Sequence, residues 1–200
     1  MVDTNLILFV KKNKMKTFNN FNIVALGNWN KKIFSPQWTM VEIMGMDETD
    51  KIEGAFNYEE MELLYKVKDI RIAPKDNSLE ISTDNLSAKQ LVFSTFCKSI
   101  KLLPYTPIKG VGFNFVYSIN PDEVPFLKDQ IKSIEFLPKD LEVSRLSYRE
   151  KADEFTLNLI AEKKEKEWLL TFNFHHSQII PFEEDYIDKL ISYIDKYFVS

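Results

Sequence analysis

Uncharged polar side chains alternate with large apolar ones in three segments of this chain. Hydroxyl, amide and imidazole groups occupy several of the alternate positions there, and their neighbours are mostly Phe, Leu, Val or Tyr. The residues on the polar side are Asn114 and Ser118, Thr156 and Asn158, and Thr171, Asn173 and His175. A solvated strand face usually carries more Lys and Glu. Amides and hydroxyls that share a surface can hydrogen-bond a peptide, a sugar or a nucleobase, and they can equally line a homodimer interface.

Two arginines and one tryptophan extend this set of candidates. Arg145 and Arg149 are an even number of residues apart, so on a strand they share a face and could recognise an anionic group. Trp29 follows Gly27-Asn28 in a polar loop, and a loop tryptophan can anchor a protein partner. The alternative for Trp29 is that it folds back and covers an edge of the sheet.

The signatures of the common enzyme classes are missing from the sequence. It contains no phosphate-binding GxxxxGK[ST] loop, no GxSxG nucleophile motif and no HExxH zinc motif. His175 and His176 are the only histidines, and adjacent strand residues point to opposite faces, so the two cannot easily bind one metal. Cys97 lies on the apolar stripe of a predicted helix, and Gly110 and Gly112 lack the third glycine of a dinucleotide fingerprint. The sequence therefore predicts no catalytic residue, no metal and no cofactor.

The last third of the chain predicts the elements that position these side chains. Residues 141–149, 154–163 and 166–176 alternate with period two and are separated by short polar turns, which is typical of an antiparallel meander. Residues 183–198 place apolar side chains along one helical face and begin with three acids, which favour a helix N-terminus. We expect this helix to cover the apolar side of the meander.

The preceding residues predict the same kinds of element. A helix begins at Asp84 or Asn85 and runs to about Leu103, where Pro104 ends it. The acidic segment 47–57 is predicted to be an exposed loop. The remaining predicted strands are 21–27, 37–46, 61–72, 79–83 and 110–119.

Together these elements predict an α+β fold with two layers. A large twisted antiparallel sheet would carry amphipathic helices on one face. Residues 1–20 would form an N-terminal tail or an edge strand, and residues 21–200 a single domain. Segments 36–103 and 141–198 repeat the order β-β-β-α, which suggests a duplication by topology, although no residue-level repeat supports it.

The composition limits the cellular setting and the partners. The net charge is −4 and only three of the 26 basic residues are arginine, so the sequence predicts no nucleic-acid partner. A single cysteine allows no intramolecular disulfide, which favours a reducing cytoplasm. No stretch is apolar for long enough to predict a membrane span, and residues 6–10 do not resemble a signal peptide. The bias to Lys, Asn and Ile suggests an AT-rich genome, and we expect a prokaryotic source.

Two functional hypotheses follow from the sequence. The first is a non-enzymatic interaction module whose sheet face or edge binds a protein partner or a second copy of the chain. The alternative is a small-ligand-binding or enzymatic domain with a pocket between sheet and helices, which would use His175 with Asn173, Asn158 and Arg145. The two differ in whether these side chains converge in a concave pocket or lie on an open surface.

Overall fold

The structure is a computed structural model that describes residues 16–47, 50–57, 62–120, 124–133, 143–165, 167–179 and 181–198. Its strands form one antiparallel sheet in the order β2-β3-β4-β5-β1-β6-β9-β8-β7. The strands are β1 (Lys16–Gly27), β2 (Glu53–Asn57), β3 (Glu62–Val67), β4 (Ile70–Pro74), β5 (Ser78–Thr83), β6 (Ile108–Ile119), β7 (Arg145–Lys151), β8 (Thr156–Lys164) and β9 (Glu167–His176). The helices are α1 (Pro36–Trp38), which continues as a π-helix (Thr39–Ile43), α2 (Lys89–Leu102), α3 (Pro125–Ser133) and α4 (Tyr186–Asp195).

The core lies between one face of this sheet and helices α2 and α4. Phe113, Phe115 and Tyr117 on β6 are almost fully buried, because every second side chain of a strand points to the same face. From α2, the ring of Phe96 lies 6.2 Å from that of Phe113, and from α4 the ring of Tyr186 lies 5.4 Å from it. The predicted two-layer α+β fold, with helices on one face of an antiparallel sheet, is confirmed.

The long strands β1 and β6 pair with each other at the centre of the sheet. Each is twelve residues long and is followed by a helix, by a meander whose last strand returns to pair with it, and by an amphipathic helix. The element order is therefore similar over residues 16–102 and 108–195, although the first meander has four strands and the second has three. The segments 36–103 and 141–198 leave out the first strand of each repeat, and the duplication itself stays a prediction.

Several predicted elements differ from the structure. Residues 36–43 are helical instead of forming a strand: Ser35 caps the helix by accepting a hydrogen bond from the Trp38 amide at 3.2 Å, and Pro36 occupies its first turn. Residues 62–74 form two strands, because Lys68, with a φ of 53°, turns the chain between them. The predicted acidic loop contains β2.

The N-terminal prediction is corrected in part. Lys16 to Asn20 belong to β1, a central strand, and form neither a tail nor a sheet edge. Residues 1–15 of the predicted tail, residues 141–142 and 166 of the predicted strands, and residues 199–200 at the end of the predicted domain lie outside the described residues. Within the described part of the chain, no helix has the length and apolarity needed to cross a membrane.

Candidate functional site

The sheet face that turns away from α2 and α4 carries the polar side chains that the sequence singled out. The register places Asn158 opposite Asn173 and Asn173 opposite Asn114, while Thr156 lies opposite His175. We call this surface the open face. The predicted residues that lie on it, all half-buried, are Asn114, Ser118, Thr156, Asn158, Thr171, Asn173 and His175.

Six side chains on the open face form one continuous line of hydrogen bonds, which we call the amide row. It crosses six adjacent strands, β7-β8-β9-β6-β1-β5. Each side chain donates to the next in the same direction: Arg149 Nε to Asn158 Oδ1 at 2.9 Å, Asn158 Nδ2 to Asn173 Oδ1 at 2.8 Å, Asn173 Nδ2 to Asn114 Oδ1 at 2.6 Å, Asn114 Nδ2 to Asn22 Oδ1 at 2.6 Å, and Asn22 Nδ2 to Glu80 Oε1 at 3.0 Å.

The two ends of the row dictate the orientation of the amides between them. The Arg149 guanidinium can only donate, and the Glu80 carboxylate can only accept. If the four amides were turned round, Arg149 would meet an NH₂ group and Glu80 would meet a carbonyl oxygen. Each amide uses one N–H and one lone pair within the row, so its second N–H and second lone pair remain for a ligand on the open face.

Gly112 leaves the space that the row needs on β6. A Cβ atom there would lie 3.1 Å from Asn173 Nδ2 and 3.7 Å from Asn114 Nδ2. Gly110 similarly leaves space for the His175 ring, because a Cβ atom at Gly110 would lie 3.0 Å from His175 Cε1. Gly110 and Gly112, which carry no dinucleotide signature, thus make room for polar side chains on the open face.

A shallow groove of about 540 Å³ lies over the β7 end of the amide row. Four members of the row line it together with neighbouring hydroxyl and apolar groups. The lining residues are Asn114, Ser147, Tyr148, Arg149, Asn158, Ile160, Thr171 and Asn173. Five of them are predicted site residues, and the groove brings these five together.

Other predicted residues lie outside the groove. Ser118 forms a separate pair with Asn19, whose Nδ2 donates to Ser118 Oγ at 2.9 Å. Arg145 lies at the start of β7, opposite Glu162. Thr156 and His175 form the next cross-strand pair beyond Asn158 and Asn173.

Trp29 does not lie on an exposed surface. Its side chain is 2% exposed, its Nε1 donates to the Ala25 carbonyl at 2.9 Å, and its ring meets that of Phe34 edge-on at 6.2 Å. The loop folds back because a buried indole needs both an apolar surface and an acceptor for its N–H. In this structure Trp29 is a core residue, and its side chain is not available to anchor a partner.

The two histidines face opposite sides of the sheet. His175 is half-buried on the open face, whereas His176 is 2% exposed beneath α4, with Nε2 2.8 Å from the Tyr186 hydroxyl. Burial lowers the pKa of His176, which favours the neutral imidazole. Among the described residues no three His, Cys, Asp or Glu side chains are grouped as metal ligands. Burial also raises the pKa of the Cys97 thiol to about 11, so it is not a thiolate at neutral pH.

The residues of the ligand-binding hypothesis do not lie between the sheet and the helices. Asn158, Asn173 and His175 are on the open face, and the side chains that alternate with them, including Phe172 and Phe174, are fully buried against the helix layer. The predicted position of the pocket, between the sheet and the helices, is therefore wrong for these residues. A ligand that uses them would bind on the opposite side of the sheet.

Sequence reasoning missed Asn22 and Glu80. Both alternate with buried residues, Asn22 between Phe21 and Ile23 and Glu80 between Leu79 and Ile81, so the same period-two signal applied to them. The chain matches no known protein family and no curated protein, so the case for a function depends on this surface.

Proposed function

We propose that this protein is a non-enzymatic interaction module and that its open face binds a protein partner. The amide row is the observation that carries this proposal. Six adjacent strands at the usual spacing span about 24 Å, which is wider than most metabolites and suits a macromolecular ligand. Because each amide is already oriented by its neighbours, binding would immobilise few side chains.

The chemistry of the open face also favours a protein ligand. Val24, Val116, Ile160 and Leu169 are half-buried there among the uncharged polar groups. A low density of charge beside apolar and hydrogen-bonding groups is typical of the centre of a protein interface. The chain's net charge of −4 gives no support to a nucleic-acid partner. A single cysteine supports a setting in a reducing cytoplasm, and the bias to Lys, Asn and Ile supports a prokaryotic source.

The test uses three forms of the full chain as bait in a lysate of its native host. Thr171→Arg places a long cation in the middle of the open face, and Ser192→Arg makes the same change on the exposed side of α4. We expect a protein captured by the wild type and by Ser192→Arg to be lost with Thr171→Arg, and its purified form to bind with the same preferences. Equal capture by all three forms, or none by any, would contradict the proposal.

The groove favours a second candidate, a small polar ligand. Its volume of about 540 Å³ is within the range of small-molecule sites, although the groove is open to one side. Binding there would raise the melting temperature of the wild type, and the rise would disappear in Asn173→Ala, which changes a residue of the groove, but persist in His175→Ala, which changes a residue outside it. Light scattering of the purified wild type tests whether the partner is instead a second copy of the chain.

A further inference from the structure

Strand β7 ends the described sheet, and half of its backbone groups point away from it. The Lys163 amide donates to the Ser144 carbonyl at 2.8 Å, and the Ala152 amide donates to the Phe155 carbonyl at 2.9 Å. Both bonds belong to the unshifted β7–β8 register, in which bonded and non-bonded pairs alternate. Even-numbered residues of β7 therefore bond to β8. The residues whose N–H and C=O groups face outward are Arg145, Ser147, Arg149 and Lys151.

Two depressions lie on either side of this edge. One is the groove on the open face, and the other is an apolar depression of about 250 Å³ on the helix face, lined in part by Phe126, Leu157 and Leu159. Tyr148 and Arg149 line both. Since successive side chains of a strand point to opposite faces, a strand added beside β7 would direct alternate side chains toward the two depressions.

The charges along β7 indicate which side chains would fit. Arg145, Arg149 and Lys151 share the open-face side, and the described residues provide no ion-pair partner for any of them. Glu162, which faces Arg145 across the strands, is 3.2 Å from Lys164 instead. Acidic side chains on the open-face side of an added strand would be attracted to these three cations.

A second copy of the chain is a poor fit to the same edge. An antiparallel β7–β7 pair centred on Tyr148 would use the whole strand and would place Arg145 opposite Lys151 twice. Like charges that face each other across strands are destabilising. The edge therefore favours a segment of a different protein.

We propose that β7 is a docking edge for an extended segment of the partner, one that alternates acidic and large apolar side chains and joins the sheet as an added strand. The acidic side chains would lie over Arg145, Arg149 and Lys151, and the apolar ones would enter the depression beside Leu157 and Leu159. This inference rests on the proposed interaction function and names the chemical class of the partner.

The test measures fluorescence anisotropy of a labelled peptide, acetyl-GEYEVEFEG-amide, with the full chain. Ser147→Pro removes an outward N–H without removing a bond to β8, and proline is tolerated at such edge positions. Ser147→Ala is its matched control. We expect Ser147→Pro to bind about tenfold or more weakly than Ser147→Ala, provided that both melt near the wild type.

Charge reversal tests the side-chain preference. Arg145→Glu lies outside the amide row and should weaken binding of this peptide about tenfold, whereas the peptide with Lys in place of each Glu should bind Arg145→Glu better than it binds the wild type. No saturable binding at about 1 mM peptide, or equal binding by Ser147→Pro, would overturn the docking edge. A wild-type dimer that Ser147→Pro dissociates would overturn the choice of occupant.

The same variants separate this inference from the proposed function. A native partner that Thr171→Arg loses but Ser147→Pro keeps would overturn the docking edge and leave the open face as the interaction surface. A partner that both variants lose would support both. Failure of every variant to change capture would contradict the proposed function itself.

Discussion

The side-chain Nδ2 of Asn114 on β6 donates to the side-chain Oδ1 of Asn22 on β1 at 2.6 Å. These two residues face each other across the central pair of strands, which joins the two repeats of element order. The bond makes one row out of what would otherwise be two shorter ones, since Asn173 reaches Asn114 from one side and Glu80 accepts from Asn22 on the other. The polar groups of the two halves are thus coupled at the middle of the sheet.

Removal of the Asn114 amide should destabilise the fold. Asn114→Ala deletes two hydrogen bonds and leaves Asn22 Oδ1 and Asn173 Nδ2 without these partners on a half-buried face. We expect the free energy of unfolding, measured in urea, to fall by about 1–3 kcal/mol. Asn20→Ala is the matched control, because Asn20 is half-buried on the same strand as Asn22 but has no side-chain hydrogen bond to another described residue. Equal losses in both variants would contradict a structural role for the row.

Gly112→Ala should disturb the same row by steric contact. The added methyl group would lie 3.1 Å from Asn173 Nδ2, and hydrogen bonds of 2.6 and 2.8 Å on its two sides restrict movement of the Asn173 amide. We expect a loss of about 1–2 kcal/mol in the free energy of unfolding, despite the entropy that alanine removes from the unfolded chain. In an Asn173→Ala background the same substitution should be neutral or stabilising. A loss that persists there would place the clash elsewhere.

The sequence predicted the polar alternation of the site but not its connections. Asn114, Asn158 and Asn173 could be placed on one face, because period two assigns each side chain to a face of its own strand. Which residues face each other depends on register, which turns and long-range packing determine. Asn22 alternates in the same way, but nothing local indicated that β1 would pair with β6 at the centre of the sheet and bring Asn22 opposite Asn114.

The predictions for Trp29 and for residues 36–43 were wrong for a related reason. The polar residues around Trp29 do not indicate that its indole N–H donates to the buried carbonyl of Ala25. In residues 36–43 the buried side chains include Met40 and Ile43, three positions apart, which period two does not predict. The Ser35-Pro36 start was present in the sequence, and it is a recognised beginning of a helix.

The burial of Trp29 predicts its fluorescence. In a variant that keeps Trp29 and carries Trp38→Phe and Trp168→Phe, the emission should be blue-shifted and resistant to acrylamide, because the indole is 2% exposed. The same variant should show no change in quenching when a partner binds to the open face. Ready quenching in the folded state would contradict the buried position. Trp29→Ala should lower the free energy of unfolding by about 3–5 kcal/mol.

The buried imidazole of His176 should make stability depend on pH. Its pKa in the folded protein is below 6.5, chiefly because burial disfavours the imidazolium, and an upward pull from Glu154 only partly opposes this. The unfolded chain therefore binds the proton more readily, so the stabilising contribution is fully present above about pH 6.5 and is lost as pH falls through the window between the two pKa values.

The free energy of unfolding should decrease in this pH window by at most about 1.4 kcal/mol per pH unit. Combining His176→Phe with Tyr186→Phe removes the imidazole and its hydroxyl partner together, and this double variant should lose the slope. His175→Gln should keep most of it, because burial lowers the pKa of His176 more than the neighbouring His175 charge does. If urea unfolding at a series of pH values gives the same slope for the double variant as for the wild type, another group is responsible.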